Sequence, residues 1–439
     1  MSPQQVHTVA EAAKNAARAL AGVPTERRNA AIRMAAELIG QSRDQLLEAN
    51  VCDLAAAQLM IDQGQLIPST LDRLRLDEKK IAEMMQAMLA VAELPDPIGR
   101  VSQRTELDAG LVLERIICPL GVLAIIFEAR PDAVTQISAL GLKSANAVIL
   151  KAGRGRLLHL AALVKIIQQA LGKAGLPVDA VTLVAGREVV HQLLAMNDLI
   201  DMVIPRGSRQ LVEFEKANTR IPELGHAEGI CHVYVDAAAD LAMALEIVED
   251  AKTDYPTACN AAETVLVHQL IAKAFLPELA SRLRLRNVKL RGCECTRAIV
   301  TSHSIEAVAD SDWHHEHSDL VLAVRVVSSI EEAIEHIHKY GSSHTETIVT
   351  TDRNAADRFL REVDAAGVFH NASTRFADGY RYGFGAEVGI STSKLHARGP
   401  VGVEGLTTYK YVLRGSGQIA RHYQGPKARP FVHRPLPTD

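Results

Sequence analysis

Aromatic side chains are scarce, at 4% of 439 residues with a single tryptophan. Single-strand nucleic-acid platforms are built from such rings. The charge balance, 48 basic against 52 acidic residues, lacks the basic footprint of a duplex binder, so no nucleic-acid partner is expected. Long apolar runs are also missing. The longest near the middle, Gly121 to Phe127, is strand length, far short of the roughly 20 residues that cross a bilayer. The stretch 1–30 carries Glu11, Lys14, Arg18 and Glu26 and has no apolar signal-peptide core. The expectation is a cytoplasmic protein with no membrane partner. Cysteine is sparse: Cys52, Cys118, Cys231, Cys259, Cys293 and Cys295 follow no regular spacing, which reads as free thiols in a reducing compartment. Cys293-Glu-Cys295 lacks a second ligand pair, and no metal is expected. What remains is a chain with 48% apolar and 23% charged residues, ordinary for a globular protein and, at ~150 residues per domain, long enough for two or three.

Residues 1–95 carry helical periodicity, with Ala, Leu, Ile and Met spaced by three and four through Ala30–Ile61 and Ile81–Leu94. Pro95-Asp96-Pro97 stops the helices. Beyond Gly99 the pattern alternates, and Asp108-Ala109-Gly110 between two such runs predicts a β-hairpin. A βα rhythm follows, with strands at Val122–Phe127, Ala147–Leu150, Val181–Val184 and Met202–Ile204. Helices are expected at 133–143, 158–174, 188–196 and 208–217. A second such block follows helix Leu241–Asp250, with strands near Thr264–Val267, Leu320–Val327, Thr347–Val349 and Gly367–Phe369. Alternating strands and helices predict parallel sheets with covered faces. The last ~24 residues, rich in Arg, His and Pro, read as an irregular tail.

No Walker A sequence and no G-x-G-x-x-G fingerprint occur. Gly383-Phe-Gly385-Ala-Glu-Val-Gly389 places its third glycine one residue late. A strand end and a helix start can hold phosphates without that fingerprint. Pro205-Arg206-Gly207-Ser208 stands in such a place, although a simple turn with Ser208 as helix cap suits it as well. Lys151, at a strand end beside Gly153, can reach ribose or phosphate oxygens, or lie solvated on the surface. Arg154 adds a cation suited to a 2′-phosphate. Among the thiols, Cys259 has small neighbours and a Pro-broken helix before it, and a helix after it would aim N–H groups at a thiolate and an oxyanion. Trp313-His-His-Glu-His317 invites a metal, but adjacent histidines cannot face one ion from a regular strand, and a solvated loop is expected. Gly225-His-Ala-Glu-Gly229 suits a tight backbone turn.

Taken together, several segments resemble the γ-glutamyl phosphate reductase family, also called glutamate-5-semialdehyde dehydrogenase, of the aldehyde dehydrogenase superfamily. They are Pro119-Leu-Gly-Val-Leu-Ala-Ile-Ile-Phe-Glu-Ala-Arg-Pro-Asp132, Val203-Ile-Pro-Arg-Gly-Ser208, Gly225-His-Ala-Glu-Gly-Ile-Cys-His-Val-Tyr-Val-Asp236 and Ala258-Cys-Asn-Ala-Ala-Glu-Thr264. Phe369-His-Asn-Ala-Ser-Thr-Arg-Phe-Ala-Asp-Gly379, Phe384-Gly-Ala-Glu-Val-Gly-Ile-Ser391 and His396-Ala-Arg-Gly-Pro400 continue the match in order, from about residue 5 to about 418.

The resemblance implies an α/β, aldehyde-dehydrogenase-like fold: two parallel-sheet α/β domains plus a β-hairpin oligomerisation arm. On that pattern 1–98 and 119–250 form an NADPH-binding domain and 251–398 a catalytic domain. Residues 99–118 and 399–418 form the arm, and 419–439 the irregular tail. The implied activity is NADPH-dependent reduction of L-glutamyl 5-phosphate to L-glutamate 5-semialdehyde with release of phosphate, the second step of proline biosynthesis from glutamate. Cys259 matches the nucleophile that carries the thioester, with Asn260 beside it as an oxyanion donor. Lys151, Arg154, Arg206, Gly207, Ser208 and Glu387 fall where NADPH/NADP is held. Arg130 and Arg375 are candidates for the substrate's anions, and Glu128 and Asp378 for its ammonium. A homo-oligomer is implied, and a transient contact with glutamate 5-kinase is compatible with it. The chain departs from the family at Tyr255-Pro-Thr-Ala-Cys259, where many bacterial members carry Arg-Pro-Gly-Val-Cys. Gly155 stands where Glu is common, Glu223 at an apolar position, and His317 where Tyr is common. Two readings compete: an oxidising aldehyde dehydrogenase of another substrate, which needs a positioned base such as Glu223 although that residue also suits a surface loop, and a non-catalytic binding protein on the same fold.

Overall fold

The structure is a computed structural model that describes residues 1–438 apart from 67–68, 128–129, 154–156, 187, 208, 227 and 302–304. The first of two parallel sheets has four strands in the order Val181–Val184, Ala147–Ala152, Val122–Phe127, Met202–Arg206. A parallel sheet is covered on both faces, so its strands read as unbroken apolar runs. All six residues of Val122–Phe127 and of Ala147–Ala152 are buried. Helices Pro131–Lys143 and Leu158–Lys173 cover it, joined by the N-terminal helices Pro3–Leu20, Thr25–Gln41 and Glu78–Glu93. Val6, Leu20, Ile32, Ile39, Met84 and Met88 share one core with Leu123, Ile125, Val148 and Leu150, which is what the three–four spacing predicts.

Polar side chains fix how these layers meet. Asp201 takes both Lys14 Nζ contacts at 2.8 Å and accepts from Val122 N at 2.8 Å. Gly121 turns beside it at φ +130°, where a Cβ would stand 2.1 Å from Asp201 Oδ2, so only glycine fits. Helix Leu158–Lys173 has no side-chain cap of its own. Asp53, from helix Arg43–Asp62, supplies one by accepting from Leu158 N at 3.0 Å and His159 N at 2.9 Å.

The second sheet is larger. Seven parallel strands run in the order Glu306–Ala307, Lys289–Gly292, Val321–Val327, Ala262–His268, Cys231–Val235, Thr345–Val349, Gly367–His370. Its membership moves a boundary expected at 250. Strand Cys231–Val235 is hydrogen-bonded between Ala262–His268 and Thr345–Val349. Helix Leu241–Thr253 buries Ala244, Leu245, Val248 and Ala251 in the same core. The crossover from the first sheet therefore lies between 206 and 231, inside the segment assigned to one domain.

A third sheet is antiparallel and four-stranded, in the order Thr407–Arg414, Leu111–Pro119, Val101–Asp108, Arg434–Leu436. The predicted hairpin forms its centre. The tail beyond 418, expected to be irregular, supplies its fourth strand, with Arg104 to Glu106 facing Leu436 to Arg434. Three residues containing a proline carry no readable alternation. This strand exists through its partners: Arg434 pairs with Glu106, Tyr423 Oη donates to Asp108 Oδ2 at 2.8 Å, and Tyr423 stacks on Phe431. Among the described residues no helix is long and apolar enough to cross a membrane.

Candidate active site

Cys259 lies on a turn between helix Leu241–Thr253 and strand Ala262–His268, at the amino-terminal edge of the seven-stranded sheet. The expected helix after the thiol is absent, since Ala262-Glu-Thr-Val-Leu-Val-His268 is a fully buried central strand. Ligands of open α/β sheets usually sit at carboxyl ends, so this edge earns its role from its loops. The loops entering four adjacent strands bring together Glu316, Cys259, His226 and His344.

The turn is clamped from one side. Arg375 Nε donates to Asp254 at 3.0 Å, its Nη1 meets Asn260 Oδ1, and its guanidinium lies 5.9 Å from the Tyr255 ring centre. Arg381 Nη2 reaches Asp254 at 3.0 Å, and Nη1 donates to Arg375 O at 2.7 Å. Hydrogen bonds from Arg381 and Arg375 hold the Asp254 carboxyl below its usual range. Arg375, named as a candidate for substrate anions, is buried in this clamp. Asn260, expected as an oxyanion donor, gives Nδ2 to Ala377 O at 2.9 Å; both groups here hold the turn. The Cys259 N–H meets no acceptor among the described residues.

From the other side, residues 228–230 run against the turn. A Cβ on Gly229 would stand 1.9 Å from Cys259 O, so the two backbones touch where only glycine allows it. Gly229 N donates to Glu316 Oε2 at 2.8 Å, and Ile230 N to Ser342 Oγ at 2.8 Å. Cys231 Sγ donates to Cys259 O at 3.4 Å, and complete burial pushes that thiol well above its ordinary pKa, which leaves it inert. His226 Nδ1 donates to Ile390 O at 2.9 Å, and burial lowers its pKa, keeping the ring neutral at pH 7. Its reading as part of a mere turn missed this placement. The loop 313–317, expected to be solvated, buries Trp313 against His336 and Tyr340 and contributes Glu316.

Lys151, Arg206, Gly207 and Arg130 lie at the carboxyl edge of the first parallel sheet. Lys151 ends one strand, with Nζ donating to Gly153 O at 3.2 Å, and burial lowers its pKa. Arg206 ends the next but one, with Gly207 before helix Arg209–Asn218. Arg130 caps the N-terminus of helix Pro131–Lys143, after the strand between them, and is exposed. Glu215 lies within electrostatic reach of Lys151; it is fully buried, neither carboxylate oxygen has a partner among the described residues, and burial with Glu223 pushes it up to about 8. No sequence signal marked it. Glu128, Arg154 and Ser208 lie outside the described residues.

One segment joins the two edges. Gly389 packs on Arg206, a Cβ there falling 3.5 Å from Arg206 Cδ, and the next residue is the Ile390 that holds His226. Glu387 accepts from Gly379 N at 2.9 Å. Burial raises its pKa, opposed by Arg206. Asp378 accepts from Tyr380 N and Arg381 N, capping the turn beside the clamp.

Comparisons with known proteins give the family. The aldehyde dehydrogenase family pattern, whose members work with a nicotinamide cofactor, matches residues 1–294. The chain is 53% identical over 435 residues to the gamma-glutamyl phosphate reductase of Cyanothece sp., covering 99% of each. It is 49% identical over 428 residues to gamma-glutamyl phosphate reductase 1 of Synechocystis sp., covering 98% and 97%. The crystal structure of gamma-glutamyl phosphate reductase from Thermotoga maritima superposes with TM-score 0.90 at 40% identity, over 94% of this chain and 99% of that one. The chain belongs to the aldehyde dehydrogenase family and, within it, to the gamma-glutamyl phosphate reductases.

Proposed function

We propose that this chain reduces L-glutamyl 5-phosphate to L-glutamate 5-semialdehyde, releasing phosphate, through a thioester on Cys259 in the second step of proline biosynthesis. The observation that carries the reading is the clamped turn of Cys259, backed by near-full-length likeness to reductases of that name.

The groups at the four-stranded sheet fit a dinucleotide. Lys151 and Arg206 are cations at strand ends, and Glu215 offers buried, unpartnered oxygens that hydroxyl groups would satisfy. Lys151, Arg206, Gly207 and Glu387 would hold NADPH, with Arg154 and Ser208 as further contacts. Bound there, NADPH supplies the hydride that reduces the thioester.

The chain's own residues do the rest. The Cys259 thiolate attacks C5 of the glutamyl group; a carbon–sulfur bond forms and the carbon–oxygen bond to phosphate breaks. Phosphate leaves readily, so no base need activate water. The Cys259 N–H would stabilise the oxyanion of each step. Asp254, Asn260 and Arg375 keep the sulfur in position. After reduction the hemithioacetal collapses to aldehyde and thiolate. Arg130 is left as the exposed cation for a substrate anion, with Asp378 and Glu128 for the ammonium.

A homo-oligomer would form through the arm. Tyr409, Tyr411 and Leu413 alternate along its edge strand at 50%, 60% and 56% exposure, a sheet edge that pairing with another copy would cover. Such an enzyme would work in the cytoplasm, where a transient contact with glutamate 5-kinase would protect the labile acyl phosphate.

The test runs the reaction backwards, following NADPH formation from semialdehyde, NADP and phosphate with the wild type and Cys259→Ala. Strict dependence on phosphate, with loss in the variant of about 10⁴-fold or more, is expected. Equal rates without phosphate would make water the acceptor and overturn the reductase reading in favour of an oxidising dehydrogenase.

A further inference from the structure

We propose that His226, Cys259 and His344 form a three-ligand site for a zinc-class transition-metal ion, and that filling it ties up the Cys259 sulfur and switches the enzyme off. One ligating atom from each residue lies within 4.8 Å of the other two, the one such group of three among the described residues. Thiolate with two imidazoles is a zinc-type donor set rather than one for magnesium or calcium. Zinc bonds of about 2.0–2.3 Å put tetrahedral ligand atoms roughly 3.3–3.8 Å apart, so closure asks for side-chain shifts of about 1 Å.

Two features separate this trio from a chance gathering. His226 donates Nδ1–H to Ile390 O at 2.9 Å, which leaves a lone pair on Nε2. Zinc-bound histidines are oriented by the same kind of second hydrogen bond. His344 is completely buried, and its Nε2 has no partner among the described residues, while Nδ1 lies 2.9 Å from Thr345 Oγ1 and 3.7 Å from Cys231 Sγ. A buried ring nitrogen left unpaired is costly unless something binds it. The two rings meet edge to face, with centres 5.1 Å apart. Cys259 is only half-buried, so an ion can reach it, and three protein ligands leave a fourth position for water. Sulfur cannot hold an acyl group and a metal together; acylation and metal binding therefore exclude each other. The effect on turnover rests on the proposed role of Cys259, whereas binding itself does not.

The test titrates Co²⁺ into the metal-free full-length protein, reading the thiolate-to-cobalt charge-transfer band, and then displaces it with Zn²⁺. The band is expected in the wild type and in Cys52→Ser. It should be lost in Cys259→Ser and weakened at least tenfold in affinity in His344→Gln. Zn²⁺ should inhibit the reductase reaction reversibly by chelator, and inhibition of His344→Gln, scored against its own metal-free rate, should need at least tenfold more Zn²⁺. Cys259→Ser alters a half-buried turn residue, so it keeps the test decisive should the buried-ring variant fail to fold. A band that persists in Cys259→Ser, or no band in the wild type, overturns the site. A Cys259-dependent band in a protein without reductase activity would keep the site and sink the reaction instead.

Discussion

The two parallel sheets present their polar groups in opposite ways. Around Cys259, Asp254, Asn260, Arg375 and Arg381 are paired with one another, and Gly229 brings a second backbone into contact. At the carboxyl edge of the smaller parallel sheet, among the described residues, Lys151 donates to one backbone acceptor at 3.2 Å and Glu215 keeps two buried oxygens unpartnered. The first arrangement is finished before a substrate arrives, as a nucleophile requires if it is to meet carbon at a set distance. The second costs stability in the free protein and favours a polyhydroxylated, anionic ligand that completes it. Orientation is built into one edge and binding free energy is held at the other.

The preset turn is most easily disturbed at Gly229. Gly229→Ala forces a Cβ into Cys259 O and displaces the turn; kcat is expected to fall about 100-fold, the scale of a 1 Å misplacement, with NADPH affinity kept. Unchanged kcat in steady-state assays would show that the turn is not preset. Lys151→Met should do the reverse, raising KM for NADPH about tenfold or more through loss of a charged hydrogen bond with little change in kcat. A fall in kcat alone would move Lys151 out of the binding edge.

The smallest effect concerns stability. Folded Glu215 holds its proton to about pH 8, against 4.5 for an ordinary Glu. The stability this contributes is complete below the lower value and is lost as pH rises through the upper one. Glu215→Gln cannot ionise, so its melting temperature should match wild type near pH 4.5. It should exceed wild type near pH 8, by a margin that widens steadily between those two values. A pH-independent difference would mean that Glu215 does not titrate in this range.

Much of the fold was legible because parallel sheets write themselves as apolar runs. Val122–Phe127 and Val181–Val184 have the predicted limits. Sheet membership was not legible: Cys231–Val235 looks like the strands before it, and only its partners, some 30 and 115 residues away, place it in the larger sheet. The helix imagined after Cys259 had too little room, since the strand predicted at Thr264 left four residues for it. Local motifs marked Cys259, Lys151 and Arg206. The pairing of His226 with His344 spans 118 positions and needed the fold, as did the capture of Arg375 by Asp254 across 121.

The thioester at Cys259 can be trapped and seen directly. Incubating the protein with glutamate 5-semialdehyde and NADP in the absence of phosphate should leave the acyl group stranded, because its acceptor is missing. Mass spectrometry of the digested protein should then find a glutamyl thioester on the peptide containing Cys259, cleared by added phosphate. An adduct on another cysteine, or none while NADPH continues to form, would contradict the thioester at Cys259.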